Sequence, residues 1–219
     1  MSEYDNKPQG YFGTPRREML EFIPIGVNSV LEIGCGAGAF GALVKQQRGG
    51  CRYVGVELTD QAAHLARTHL DEVIVANIEQ TPLAFPPASF DCLVCNDVLE
   101  HLVDPWAILQ TLTGFVRPGG YIVISLPNVR FSEVVKNLVV RKRWEYEEQG
   151  VLDRTHLRFF TESSVRALFE SAGLEVLELR GINAIKYAWR LRLLNIMLFG
   201  ALSDMRYMQY GCLGRVPIK

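Results

Sequence analysis

Short apolar runs rich in β-branched residues alternate with stretches of helical period from residue 29 to about 182. Val30–Ile33 reads as a strand, and Phe40, Leu43 and Val44 place a helix over about 38–48. Tyr53–Leu58 predicts a second strand, residues 60–70 a second helix and Val73–Ala76 a short third strand. Phe90–Cys95 predicts a fourth strand. A helix over about 105–115 follows, stopped by Arg117-Pro118-Gly119-Gly120, and Tyr121–Leu126 predicts a fifth strand. Thr161 is a candidate N-cap for a helix to about Ala172, with Glu162 and Ser164 in its first turn. Leu174–Arg180 and Tyr207–Val216 complete the strands. Such alternation implies an α/β fold, with a parallel sheet covered by helices on both faces and a ligand at the carboxyl ends of its strands.

Two stretches break the pattern. Residues 128–160 are long, charged and aromatic, so they predict an insert with structure or function of its own. Residues 184–202 carry Trp189, Leu191, Leu193, Leu194, Ile196, Met197, Leu198 and Phe199 without a single polar face. The expected organisation is an N-terminal lid or helix (1–28), a core (29–182) with its insert, and an apolar, basic helix plus last strand (183–219) of the same domain.

Composition narrows the setting. The 219 residues are 48% hydrophobic and 21% charged, as in an ordinary globular chain, and the net charge of −1 argues against a general nucleic-acid binder. Five cysteines are too few for a disulfide scaffold and suit a reducing compartment. Met1–Lys7 is polar, and no run reaches the roughly 20 apolar residues of a spanning helix. A cytoplasmic protein is expected, at most peripheral at the inner membrane surface.

The first strand runs into alternating glycines, Gly34-Cys35-Gly36-Ala37-Gly38, at a helix start. Glycine lets backbone approach a ligand closely. Gly34-x-Gly36-x-x-Ala39 and Gly36-x-Gly38-x-x-Gly41 would also fit a dinucleotide fingerprint, so a dehydrogenase is a remote rival. Glu32 breaks the tie, because a carboxylate inside that strand end can hold an ammonium group. Glu57 ends the second strand 19 residues after Gly38, where it can accept hydrogen bonds from ribose hydroxyls.

Val30–Gly38 resembles motif I of the class I S-adenosylmethionine-dependent methyltransferases. Gly55-Val56-Glu57 resembles that family's second motif, Phe90–Leu102 its fourth, and Pro118-Gly119-Gly120 the turn before its fifth strand. The resemblance implies a Rossmann-like, mostly parallel seven-stranded sheet with an antiparallel last strand. It implies S-adenosylmethionine as cofactor, with no metal. Glu32, Gly34, Gly36 and Gly38 would meet its methionine end, Glu57 its ribose, and Leu58, Asn77 and Ile78 its adenine. Asn77 stands where the family commonly has an acidic residue, but an amide can still accept a hydrogen bond. Asn96 and Asp97 would lie near the sulfonium and the acceptor.

The acceptor side is less defined. A hydroxyl acceptor benefits from a general base. Asp97 and His101, four apart, would share one side of a helical turn, unless Glu100-His101 only decorates a helix start. Leu152–Phe160 adds His156 as a base, with Arg154 and Arg158 to grip a phosphate or carboxylate. This stretch resembles a subgroup of these methyltransferases that often accompanies glycan-building enzymes. Asn128, Tyr11 and Arg16 complete the candidate substrate contacts, the last two as a lid over the methionine end. Cys92 and Cys95 lie three apart in a strand, hence on opposite faces, and read as core rather than metal ligands. The four histidines share no zinc spacing with Cys or Asp.

Residues 180–219 hold seven cationic side chains against Asp204 alone. With the apolar 184–202 stretch, they predict contact with an anionic or lipid-linked substrate or the inner membrane surface, against a helix packed into the domain or a dimer interface. The expected activity is O-methylation of a small molecule or of a glycan or glycolipid hydroxyl. The alternatives are N- or C-methylation of a small metabolite, or a non-catalytic cofactor-binding regulatory module.

Overall fold

The computed structural model describes residues 15–186 and 189–218. The apolar runs become seven strands: β1 (Ser29–Ile33), β2 (Arg52–Glu57), β3 (Glu72–Val75), β4 (Phe90–Asn96), β5 (Val116–Pro127), β6 (Glu175–Ala184) and β7 (Tyr207–Arg215). Their order is β3-β2-β1-β4-β5-β7-β6, and among them only β7 runs antiparallel to its neighbours. This is the Rossmann-like sheet that the motifs imply. Chain order reverses between β1 and β4, which opens a crevice at their carboxyl ends.

Among the described residues six α-helices follow: α1 (Ala39–Gln47), α2 (Asp60–Ala66), α3 (Pro105–Thr113), α4 (Ser132–Val139), α5 (Glu162–Ser171) and α6 (Trp189–Met197). One face of the sheet buries Leu109 and Leu112 of α3 with Val165, Leu168 and Phe169 of α5. The other buries Phe40 and Val44 of α1 with Met19 and Phe22 of an N-terminal 3-10 turn. Cys95 belongs to the first layer and Cys92 to the second, as strand alternation requires. Thr161 caps α5 reciprocally: it accepts from the Ser164 N–H while the Ser164 hydroxyl takes up the Thr161 N–H.

The structure corrects the start of the fifth strand. Arg117–Gly120 does not separate α3 from a strand beginning at Tyr121. It is an irregularity inside β5, which pairs Val116 with Phe90 and then resumes at Tyr121 against Cys92. The insert builds a small core of its own from Val134, Val151 and Leu152.

Helix α6 leaves much of its apolar surface exposed. Leu193, Ile196, Met197 and the following Phe199 are all more than half exposed. Among the described residues no helix is long and apolar enough to cross a membrane.

Candidate functional site

A cavity of about 670 Å³ lies at the carboxyl ends of the central strands, lined by residues that include Gly34, Gly36, Glu57, Asn96, His101 and His156. This volume is that of a small-molecule site.

The glycine turn has a steric cause. Gly34 sits at φ +69°, and a Cβ there would stand 2.6 Å from a Val98 methyl. Its N–H bonds the Val56 carbonyl at 2.8 Å, so the end of β2 anchors the turn. Gly38 takes the left-handed conformation as the N-cap of α1 and is not part of the lining.

Glu32 reaches the cavity from β1 with only 2% of its surface exposed. The Tyr53 hydroxyl donates to it at 3.0 Å. Burial nonetheless pushes its carboxyl up to about 8, against the lowering effect of that hydrogen bond. Beside it in the lining, the Asn96 amide also acts on the Glu32 carboxylate and lowers its pKa, although its solvent-shielded polar atoms make no hydrogen bond of ordinary geometry. An amide so incompletely satisfied at a cavity wall retains hydrogen-bonding capacity toward the cavity.

Glu57 accepts from the Gly36 N–H at 3.0 Å, and from the Thr59 N–H and hydroxyl at 3.0 and 3.1 Å. It therefore braces the glycine turn while facing the cavity. Leu58 and Ile78 line the same end. Asn77 lines it too, and its side-chain oxygen accepts from the Glu79 N–H at 2.9 Å.

On the other side, Arg16 forms an ion pair with Asp97. Gln209 and Ser125 donate to the same carboxylate at 2.9–3.0 Å. Asp97 holds a left-handed φ of 53°. A carboxylate so fully engaged ties the N-terminal segment to the sheet edge and is poorly placed to take a proton. Ser125, Gln209 and Glu100 were not singled out in the sequence, since each acquires its role from a distant partner.

Glu100 does not decorate a surface helix. It is fully buried on a 3-10 turn, Leu99–His101, and neither carboxylate oxygen has a hydrogen-bond partner. Burial pushes this carboxyl, too, up to about 8. The insert reaches it directly, because the Leu157 and Arg158 N–H groups donate to the Glu100 carbonyl at 2.8 and 3.0 Å. This brings His156 Nε2 to 3.9 Å from the carboxylate and stacks the His156 and His101 rings edge to face at 4.7 Å. Each Nδ1 contacts a backbone carbonyl, Thr155 for His101 at 3.1 Å and Val151 for His156 at 3.0 Å. A carbonyl only accepts, so each Nδ1 carries a proton, which makes Nε2 the basic atom of either ring in its neutral form.

Three expected substrate contacts lie elsewhere. Asn128 is buried outside the lining, and its amide is spent on the Asp204 and Tyr207 carbonyls and the Arg130 N–H. Arg154 is mostly exposed and pairs with Glu148 at 3.2 Å. Arg158 donates to the Val103 carbonyl and lies over the Trp106 ring. Tyr11 lies outside the described residues.

Known proteins resemble this chain in sequence or in fold. The ubiquinone biosynthesis O-methyltransferase of Cupriavidus pinatubonensis is 31% identical over 160 residues, 70% of this chain and 62% of that protein. The chain thus spans less than two thirds of that relative. An S-adenosylmethionine-dependent methyltransferase of Mesorhizobium loti matches with a TM-score of 0.61 at 16% identity, covering 90% of this chain and 95% of that one. One from Archaeoglobus fulgidus matches with a TM-score of 0.61 at 18% identity, covering 87% and 86%. These likenesses carry the fold. A methyltransferase-domain family profile matches residues 7–179, well over half of the sequence, and the chain belongs to that family.

Proposed function

We propose that this chain uses S-adenosylmethionine to methylate a hydroxyl oxygen of a small molecule. The observation that carries this reading is the convergence of groups in one cavity. A buried Glu32 and the Asn96 amide lie at the glycine turn, Glu57 lies beside them, and two imidazoles approach, His101 from the turn after β4 and His156 from the insert. The buried Glu32 carboxylate and the Asn96 amide beside it suit the ammonium and carboxylate of a methionine moiety. Glu57 suits ribose hydroxyls, and Leu58, Asn77 and Ile78 suit adenine. When bound, the cofactor supplies a methyl group made electrophilic by its sulfonium.

The chain's own residues bind, align and take up a proton. His101 or His156 accepts the proton of the acceptor hydroxyl at Nε2, its ring held by the backbone carbonyl on Nδ1. The Arg16–Asp97 pair fixes the N-terminal segment against the cavity. The relative from Cupriavidus, named as an O-methyltransferase, favours oxygen over nitrogen or carbon as the acceptor atom. The Leu152–Phe160 stretch favours a glycan or glycolipid acceptor.

Helix α6 supports a lipid-linked acceptor. The connection after it enters β7 at Tyr207, next to Met208 and Gln209, both in the cavity lining. Its exposed apolar side chains sit in a segment rich in Arg and Lys, the pairing that holds a helix on an anionic membrane surface.

Release of S-adenosylhomocysteine across nucleotide sugars, lipid-linked glycans and phenols tests the reading. Turnover with a hydroxyl acceptor is expected, abolished by His101→Ala or His156→Ala with cofactor affinity retained. Cofactor binding without turnover on any acceptor would overturn it in favour of a regulatory module.

A further inference from the structure

We propose that Glu100, His101 and His156 form a binding site for one divalent cation, held by a Glu100 oxygen and the Nε2 atoms of both imidazoles, with its open positions facing the cavity. Candidate ligand atoms of the three residues lie within 4.8 Å of one another, and all three residues line the cavity. Bonds of about 2.1 Å at a tetrahedral ion put neighbouring ligand atoms about 3.4 Å apart, so small side-chain rotations close the set.

Two independent features point to a cation. Glu100 is fully buried, and neither of its oxygens has a hydrogen-bond partner. Burying a carboxylate without compensation is costly, and a positive ion removes that cost. Both imidazoles also contact backbone carbonyls through Nδ1, at 3.1 and 3.0 Å. Such a bond fixes the ring and the tautomer of a ligating histidine and makes Nε2 the donor. Two imidazoles and one carboxylate favour zinc or a neighbouring transition ion over calcium or magnesium.

The set draws on two separate parts of the chain. Glu100 and His101 come from the turn after β4, and His156 comes from the insert. The insert is pinned there by its N–H bonds to the Glu100 carbonyl. This explains why no ligand spacing is visible in the sequence.

Resting on the methyl-transfer reading, the cation selects an acceptor that offers an ionisable hydroxyl as a ligand. With the ion bound, both Nε2 atoms are its ligands and no longer serve as the base, and coordination of the hydroxyl takes over that role by lowering its pKa. Its proton leaves to solvent or to a base, the oxygen forms the bond to the methyl carbon, and the carbon–sulfur bond breaks. The products are a methyl ether and S-adenosylhomocysteine.

The full chain, stripped with chelator, is titrated with Zn²⁺ under equilibrium dialysis and with Co²⁺ under visible absorption. One ion per chain is expected, with a Co²⁺ spectrum of mixed nitrogen and oxygen ligation. Glu100→Gln and His156→Ala should each weaken binding at least tenfold, while affinity for S-adenosylhomocysteine without metal stays unchanged. His64→Ala with His69→Ala, on the surface away from the cavity, should leave the ion bound. The absence of a stoichiometric ion in the wild type overturns the site, and so does equal binding in the Glu100 and His156 variants. The wild-type Co²⁺ spectrum decides the matter if a variant fails to fold. Methyl transfer that persists at full rate under chelator removes the cation and leaves the proposed function standing. A stoichiometric ion without turnover does the reverse.

Discussion

Glu32 shows how burial sets chemistry at the level of one side chain. Its carboxyl is raised to about 8 in the folded chain, against an ordinary value near 4.5 when unfolded. Between those values the folded state holds a proton that the unfolded state has lost. Stability of the cofactor-free chain therefore falls as pH rises from about 4.5 to 8, by about 1.4 kcal/mol per pH unit for this one group. Glu32→Gln should flatten that slope in urea melts, and an unchanged slope would refute the assignment. An ammonium at Glu32 favours the ionised form, so cofactor binding near neutral pH should release roughly one proton. Calorimetry in buffers of different ionisation enthalpy reads this directly. Glu57 both faces the cavity and braces Gly36, so Glu57→Ala should lose about 1.5–3 kcal/mol of cofactor affinity. Equal affinity in the variant would remove it from the ribose site.

At the level of elements, the turn between β1 and α1 owes its shape to positive φ and close contact. Gly34→Ala forces a methyl into Val98 at φ +69° and should destabilise the chain by about 1–3 kcal/mol. A denaturation midpoint equal to the wild type would show that the turn relaxes. The cap of α5 is a gentler case: Thr161→Ala should cost about 1 kcal/mol, read by the same melts. Both features were legible locally, because a glycine turn and an N-cap depend on neighbours in the chain. The insert was not. Its two arginines look like anion grips in sequence, yet Arg154 meets Glu148 and Arg158 meets the Val103 carbonyl. Asn128 likewise looked available and is consumed by backbone groups more than 70 residues away.

On the scale of the whole molecule, α6 leaves an apolar surface uncovered in a cationic stretch of a chain whose net charge is −1. The chain should float with vesicles containing anionic lipid at low salt, and salt should weaken the attachment. Ile196→Asp with Phe199→Asp should abolish flotation without changing cofactor affinity. A wild-type chain that stays with the soluble fraction, or that buries α6 in a dimer seen by light scattering, would count against membrane contact.

The sequence by itself determined the strand–helix alternation, the glycine turn with Glu32 and Glu57, and the opposite-facing cysteines. Each follows from periodicity or from conformational limits acting over a few residues. Tertiary structure alone decided that Asp97 is locked by Arg16, Ser125 and Gln209, and that Glu100 is buried against His101 and His156. Those outcomes depend on which distant segments the sheet brings to one edge. The ionisation of a buried carboxylate depends on the dielectric and partners around it, which residue spacing does not encode.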